Sequence, residues 1–318
     1  MVPSRAPAVK PAWIQTIEIT RLLSYLPRAG GGAIVATVDT LTGLRFSLVG
    51  PGRVGSSLAR WAVAAGAELV AVAGRPPGEM AWPGGPRRVD LDGLSTQGQD
   101  LLLIAVPDGA LPAVAAQLAR RPQAQVALHT SGSLDAAVLA PLRQARTSAG
   151  SLHPLKAFPL PLPDPAEAKG VFFAVDGGPA ARDLAFRLAA AWGGVAAEVP
   201  PAARPLYHFA ATLAAGGVTT LLAVAAEIAG GLGLPEEVTR GYLELARGSI
   251  AAAAGTLDGG HPLAGAITGP AARGDREALR RHLEALRLHA PEKLPLAMFL
   301  IRETLRQTGR DGSPDPGD

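Results

Sequence analysis

A chain of 318 residues without a single cysteine excludes a disulfide framework, a thiol nucleophile and any Cys-ligated metal, yet is long enough for two domains with separate cores. Its net charge is only +3, and its 30 basic residues are scattered along the chain and not interleaved with aromatics, so the usual nucleic-acid-binding pattern is missing. Nearly half of the residues are hydrophobic but only 4% are aromatic, so Ala, Val and Leu must build the core.

Residues 1–44 are punctuated by Pro and Gly and lack the charged start, apolar core and cleavage site of a signal peptide, so they are read as a disordered extension before the fold. The apolar run RFSLVG from Arg45 reads as a strand, and GRVGSSLARWAVAAG carries apolar residues at helical spacing, with Gly66 placed to end the helix. ELVAVAG then reads as a second strand. In this strand–turn–helix–strand setting, Gly50, Gly52 and Gly55 form a dinucleotide fingerprint. The first glycine serves the tight turn, the second lets a pyrophosphate approach the backbone, and the third lets helix and strand pack closely. Pro51, Arg53 and Val54 complete the turn, and the helix N-terminus offers free N–H groups to phosphates.

An NAD-binding chain usually carries Asp or Glu at the end of the second strand, whereas here Gly74 and Arg75 stand there. Without a carboxylate to repel it, a 2′-phosphate can pair with the arginine, so NADP is expected over NAD. DLLLIAV reads as a buried strand running into Val106, Pro107 and Asp108, and QVALHTSGS as another that leads to Ser131 and Ser133. LDAAVLAPLRQA reads as a helix, followed by the β-type segments TSAGSLHPL, VFFAVDG and VAAEVP. This alternation predicts an α/β fold, a doubly wound Rossmann-like parallel sheet over residues 45–200. Ligands bind such sheets beyond the carboxyl ends of the strands, which places Pro107, Asp108, Ser131, Ser133 and His153 on one rim.

From residue 201 to 308 the pattern becomes all-helical, a substrate or dimerisation domain with residues 309–318 as a disordered tail. The stretch from Tyr207 and His208 to Glu227 carries no charge, which predicts a helix buried on all sides between two subunits of a homodimer. Its Ala- and Gly-rich composition speaks against a membrane span. Within AITGPAARGD, Asp275 is a natural N-cap, while Thr268 and Arg273 suit a carboxylate or phosphate. Lys156 suits a substrate carboxylate, and no metal site is expected.

In order, VGPGRVGSSLA, IAVPD, HTSGSLD, GSLHPLKAF, LYHFAA and AITGPAARGD resemble the bacterial family that joins a Rossmann-like NADP-binding domain to the domain of unknown function 2520. The architecture is similar to pyrroline-5-carboxylate reductase and other reductases with a helical dimerisation domain. The family usually has a polar residue, often Asn, near the middle of the first C-terminal helix, where this chain reads AAGGV. The turn Gly132-Ser133 and the pair His153-Pro154 are also spaced as in prephenate dehydrogenases. That resemblance implies His153 as proton donor or acceptor, with Ser131 or Ser133 orienting it, a role suited to histidine's near-neutral pKa.

The expectation is a cytoplasmic NADP-dependent oxidoreductase, a homodimer, acting on a small carbonyl, imine or hydroxy or amino compound. Asp108, Lys156, Tyr207, His208, Thr268 and Arg273 would line the substrate site, with neither nucleic acid nor membrane as partner. The alternative is a non-catalytic NADP(H)-binding sensor or scaffold; use of a deazaflavin rests only on fold similarity.

Overall fold

The computed structural model describes residues 40–74, 82, 84–121, 123–144, 146–160 and 162–310. Arg75, residues 1–39 and residues 311–318 lie outside them, so the expected arginine beside a 2′-phosphate and most of both expected tails do too.

One compact unit starts at Leu41, four residues before the expected boundary. Leu41 and Leu44 are buried, and the Leu41 N–H donates to Ala65 O at 2.8 Å, tying the entry to the end of the first helix. Among the described residues eight strands follow: β1 (Arg45–Val49), β2 (Glu68–Ala73), β3 (Arg87–Val89), β4 (Leu101–Ile104), β5 (Val126–His129), β6 (Ser148–Pro154), β7 (Phe172–Gly177) and β8 (Val195–Glu198). They form one sheet in the order β3-β2-β1-β4-β5-β6-β7-β8. The helices of this half are α1 (Arg53–Ala64), α2 (Leu111–Leu118), α3 (Ala140–Gln144) and α4 (Pro179–Ala191).

The unbroken apolar strands follow from cover on both faces. In β4, Leu101 and Leu103 join a core with Trp61 and Ala62 of α1 and Ala185 and Leu188 of α4. Leu102 and Ile104 join the opposite core with Leu111 and Ala115 of α2 and Leu142 of α3. Trp61 packs its ring against Phe158 and Trp192, with centroids 5.6 and 6.0 Å apart, so Trp61→Ala would cost about 3–5 kcal/mol.

One strand departs from the expected parallel sheet: β7 runs antiparallel to β6, pairing His153 with Ala174. A parallel neighbour needs a crossover, usually a helix, but residues 155–171 hold only a 3₁₀ turn at Pro165–Ala168 among those described. The chain therefore returns along the same edge, and α4 then carries it across to β8, parallel to β7. The short strand β3 (RRV), too brief for a period to show, was not expected.

The helical half comprises α5 (Arg204–Thr212), α6 (Val218–Gly231), α7 (Glu237–Asp258), α8 (Pro270–Arg273), α9 (Arg276–His289) and α10 (Leu294–Gln307). Asp275 caps α9 as expected, accepting from the Ala278 N–H at 3.0 Å. The run from Pro201 to Gly231 is helical throughout, and by length and composition alone it could cross a membrane. Between α5 and α6, Leu213–Gly217 forms a π turn at the AAGG segment where the resembling family places a polar residue. Within one chain this helix is open: Leu206 is 62% and Phe209 57% exposed.

Candidate cofactor and active site

The glycine turn between β1 and α1 divides its labour as the fingerprint requires. Gly50 sits at φ +84°, and a Cβ there would stand 2.5 Å from Ala105 O. At Gly55 a Cβ would overlap Gly50 O and come within 2.9 Å of Ala105 Cβ, so only a hydrogen lets α1 lie this close to the sheet. At Gly52 a Cβ would meet nothing within 4 Å among the described residues. The open space is therefore at the position meant for a ligand, and the crowding is at the two positions meant for packing. Gly52 is also the N-cap of α1, with no side-chain cap and no acidic residue in the first turn. The leading N–H groups of α1 are left to an anion. Ser56 and Ser57 instead bond backward, to Pro51 O and Arg53 O. Gly74 closes the far side at φ +112°, where a Cβ would stand 2.8 Å from Pro51 Cδ. These residues fit a dinucleotide pyrophosphate.

Beside the turn lies a cavity of about 180 Å³, lined by Val54, Val106, Asp108, Thr130, Ser131, Gly132, His153, Pro154, Lys156, Phe158 and His208. The strand ends thus converge as expected, and α5 supplies the opposite wall. Pro107 is exposed on the rim beside Asp108.

The two serines do not orient His153. Ser131 Oγ accepts from the N–H groups of Ser133 (3.2 Å) and Leu134 (3.0 Å), so it closes its own turn. Ser133 Oγ donates to Asp108 Oδ2 at 2.6 Å. The hydrogen-bond partner of His153 is Tyr207, whose hydroxyl lies 3.0 Å from Nδ1. His208 stacks edge-on against His153, with centroids 5.5 Å apart, and both rings rest on Gly132. A Cβ at Gly132 would come within 2.7 Å of His153 Nε2 and closer still to His208 Nδ1. His208 therefore faces the cavity and is not the core-satisfied histidine its helix position would give by default; its Nδ1 is buried without a hydrogen-bond partner among the described residues.

Burial, then His208 and Arg204 nearby, lower the His153 pKa to about 4, so the ring is neutral at pH 7 and not poised between its two forms. Tyr207 is pushed up to about 12 by burial and keeps its proton. When that hydroxyl donates to Nδ1, the imidazole proton sits on Nε2, at the cavity wall over Gly132.

Two groups missed in the sequence hold this arrangement. His129 is fully buried at the end of β5; its Nε2 bonds Asp135 O at 3.0 Å and its Nδ1 accepts from the Ser131 N–H at 3.2 Å. Burial lowers its pKa to about 4, so it spans the serine turn as a neutral ring. Arg204, also fully buried, donates to Ser131 O and Leu134 O at 3.1 and 3.0 Å and to Ser151 Oγ. Its one signal in the sequence is that, histidine aside, it is the sole charged residue between Glu198 and Glu227. Lys156 lines the cavity while its Nζ lies 3.2 Å from Glu167 Oε2. Thr268 and Arg273 are not brought into the cavity: both are exposed near α8.

Comparison with known proteins agrees with the fold. Residues 37–154 match a Rossmann-like domain, and residues 171–307 match the domain of unknown function 2520. No curated protein sequence matches the chain. Among solved structures, a Bacteroides fragilis protein named as a candidate NADP oxidoreductase is 20% identical, with a TM-score of 0.65 over 85% of this chain and 100% of its own. Pyrroline carboxylate reductase from Plasmodium falciparum, solved with NADP bound, is 13% identical with a TM-score of 0.54 over 85% of this chain and 99% of its own. Reductive aminase from Aspergillus terreus, solved with NADPH and ethyl-5-oxohexanoate, is 18% identical with a TM-score of 0.55 over 87% and 98%.

Proposed function

The chain joins a Rossmann-like domain to the domain of unknown function 2520, and from that premise we propose that it is an NADP-dependent oxidoreductase acting on a small carbonyl, imine or the corresponding hydroxy or amino compound. One observation carries this reading: Val54, in the first turn of the helix that follows the glycine turn, lines the same cavity as His153 and His208. A nucleotide on the turn would thus extend toward the imidazoles. The solved structures with NADP or NADPH bound share this fold and support the choice of cofactor.

Gly50, Gly52, Gly55 and the N-terminus of α1 would hold the pyrophosphate, with Val54 and Val106 against the nicotinamide end and Gly74 beside the adenosine end. When bound, the dinucleotide supplies or takes up a hydride. The side chains do the rest. Lys156 holds an acidic group of the substrate, and Phe158 and Val106 keep water from the reacting carbon. His153 presents Nε2 to the reacting oxygen or nitrogen. With its proton on Nε2 the neutral ring donates a hydrogen bond to the atom that gains charge during reduction, and water supplies that atom's proton; in the other tautomer Nδ1–H donates to the Tyr207 hydroxyl and Nε2 accepts the substrate's proton during oxidation. Tyr207 fixes the ring and can serve either tautomer.

The test is NADPH consumption with a panel of small imines and carbonyls. His153→Ala should leave NADPH affinity nearly intact and lower turnover by about 100-fold or more. Equal turnover would remove His153 from the chemistry, and tight NADPH binding with no turnover across the panel would favour a sensor or scaffold. The exposed apolar face of α5 and α6 supports a homodimer, which light scattering would report as twice the 32.4 kDa chain mass.

A further inference from the structure

We propose that Arg204 is the positioning residue of this site: one buried guanidinium ties the serine turn, β6 and β7 to the first turn of α5, and so fixes where Tyr207 and His208 stand against His153. The inference rests on the proposed role of His153 but on none of the cofactor contacts.

The guanidinium reaches three segments at once. Nη1 draws in the carbonyls of Ser131 and Leu134, which flank Ser133 on either side. Nη2 holds Ser151 Oγ on β6, two residues before His153. Nε lies 3.8 Å from Asp176 Oδ2 on β7, too far for a hydrogen bond but close enough for charge attraction. The same Asp176 oxygen accepts from the Ala136 N–H at 2.8 Å, so the carboxylate anchors both the arginine and the far end of the serine turn. Only a planar fork with donors on both arms satisfies this set; a lysine offers a single centre.

Helix geometry carries the anchor to the site. Tyr207 and His208 lie three and four residues beyond Arg204, on the same face of α5 one turn away. Fixing the Arg204 side chain therefore fixes the rotation of the helix, which brings the Tyr207 hydroxyl to His153 Nδ1 and seats His208 on Gly132. The cation has a second effect. The charged and titratable groups around His153 are Arg204, Tyr207 and His208 from α5, Asp108 after β4, His129 of β5 and Lys156 after β6. Arg204 is among those that favour the neutral ring, while Asp108 opposes it.

Arg204→Met combined with Asp176→Asn removes the buried cation and its partly buried carboxylate together, so neither is left uncompensated. Titration of the His153 ring by NMR in the full chain, assigned with His153→Asn, is the readout. A scaffold role alone would leave that titration in place. The expected result is a midpoint above the wild-type value of about 4; an unmoved midpoint in the folded variant overturns the proposal. Should the double variant not fold, Arg204→Lys decides. It keeps the charge but not the fork, so the amides of Ser133 and Leu134 should lose protection from hydrogen exchange. Wild-type protection there would also overturn the proposal. Neither readout uses the cofactor, so failure of the wild type to bind NADPH would refute the proposed function and leave this test standing.

Discussion

Gly132→Ala probes the site with a single methyl group. Gly132 has an ordinary backbone conformation, so alanine meets no dihedral penalty. The obstacle is the pair of imidazoles. The new Cβ would stand 2.7 Å from His153 Nε2 and 2.9 Å from Cε1, so the ring must retreat by about 0.7 Å to reach ordinary contact. His208 must retreat further. The two rings abut each other edge-on, with centroids 5.5 Å apart, so the overpacking cost should be about 1–3 kcal/mol, a loss of roughly 3–10 °C in thermal midpoint. The shift also pulls His153 Nδ1 off its 3.0 Å bond to Tyr207, and a misplacement of this size lowers turnover by up to about 100-fold. NADPH titration should be unchanged, because the glycine turn is not touched. Differential scanning fluorimetry, NADPH fluorescence and turnover on the best substrate of the panel would be measured together. A variant with wild-type midpoint and wild-type turnover would refute the placement of both imidazoles over Gly132.

Two further outcomes follow from the same structure. Gly52→Ala enters open space and should keep the wild-type thermal midpoint while weakening NADPH binding, whereas Gly55→Ala meets Gly50 O and Ala105 and should destabilise the fold itself; the opposite pattern in paired melting and binding curves would show the two glycines to be misassigned. His129 and His153 both have folded pKa values near 4 against 6.5 for a free ring. Between these values the unfolded chain binds protons that the folded chain does not, so stability should fall as pH drops from 6.5 toward 4, by on the order of 3 kcal/mol for His129. Melting curves that stay flat across that window would contradict neutral buried rings.

Local chemistry made much of this legible in the sequence. Gly50, Gly52 and Gly55 announced a nucleotide turn because each position has its own steric demand, and strands such as Leu101–Ile104 were visible because both faces of the sheet are covered. The rim of Asp108, Ser131 and His153 followed from strand ends alone. What stayed hidden depends on contacts between distant segments. No local signal makes Tyr207, 54 residues away, the partner of His153 in place of a serine, and Arg204 looks like any helix-start arginine until β6 and β7 close around it. The reversal of β7 depends on a connection without a helix rather than on the strand's own residues. The apolar helix after Tyr207 promised burial, but an apolar face does not say which surface covers it, and within one chain it is open.

If the turn from Val49 to Ser57 holds NADP, titration of the purified protein with NADPH and with NADH will show it. Binding of both is expected, with NADPH at least about tenfold tighter, a difference of about 1.4 kcal/mol. Binding of neither would make the glycine turn a packing device alone and contradict the oxidoreductase reading.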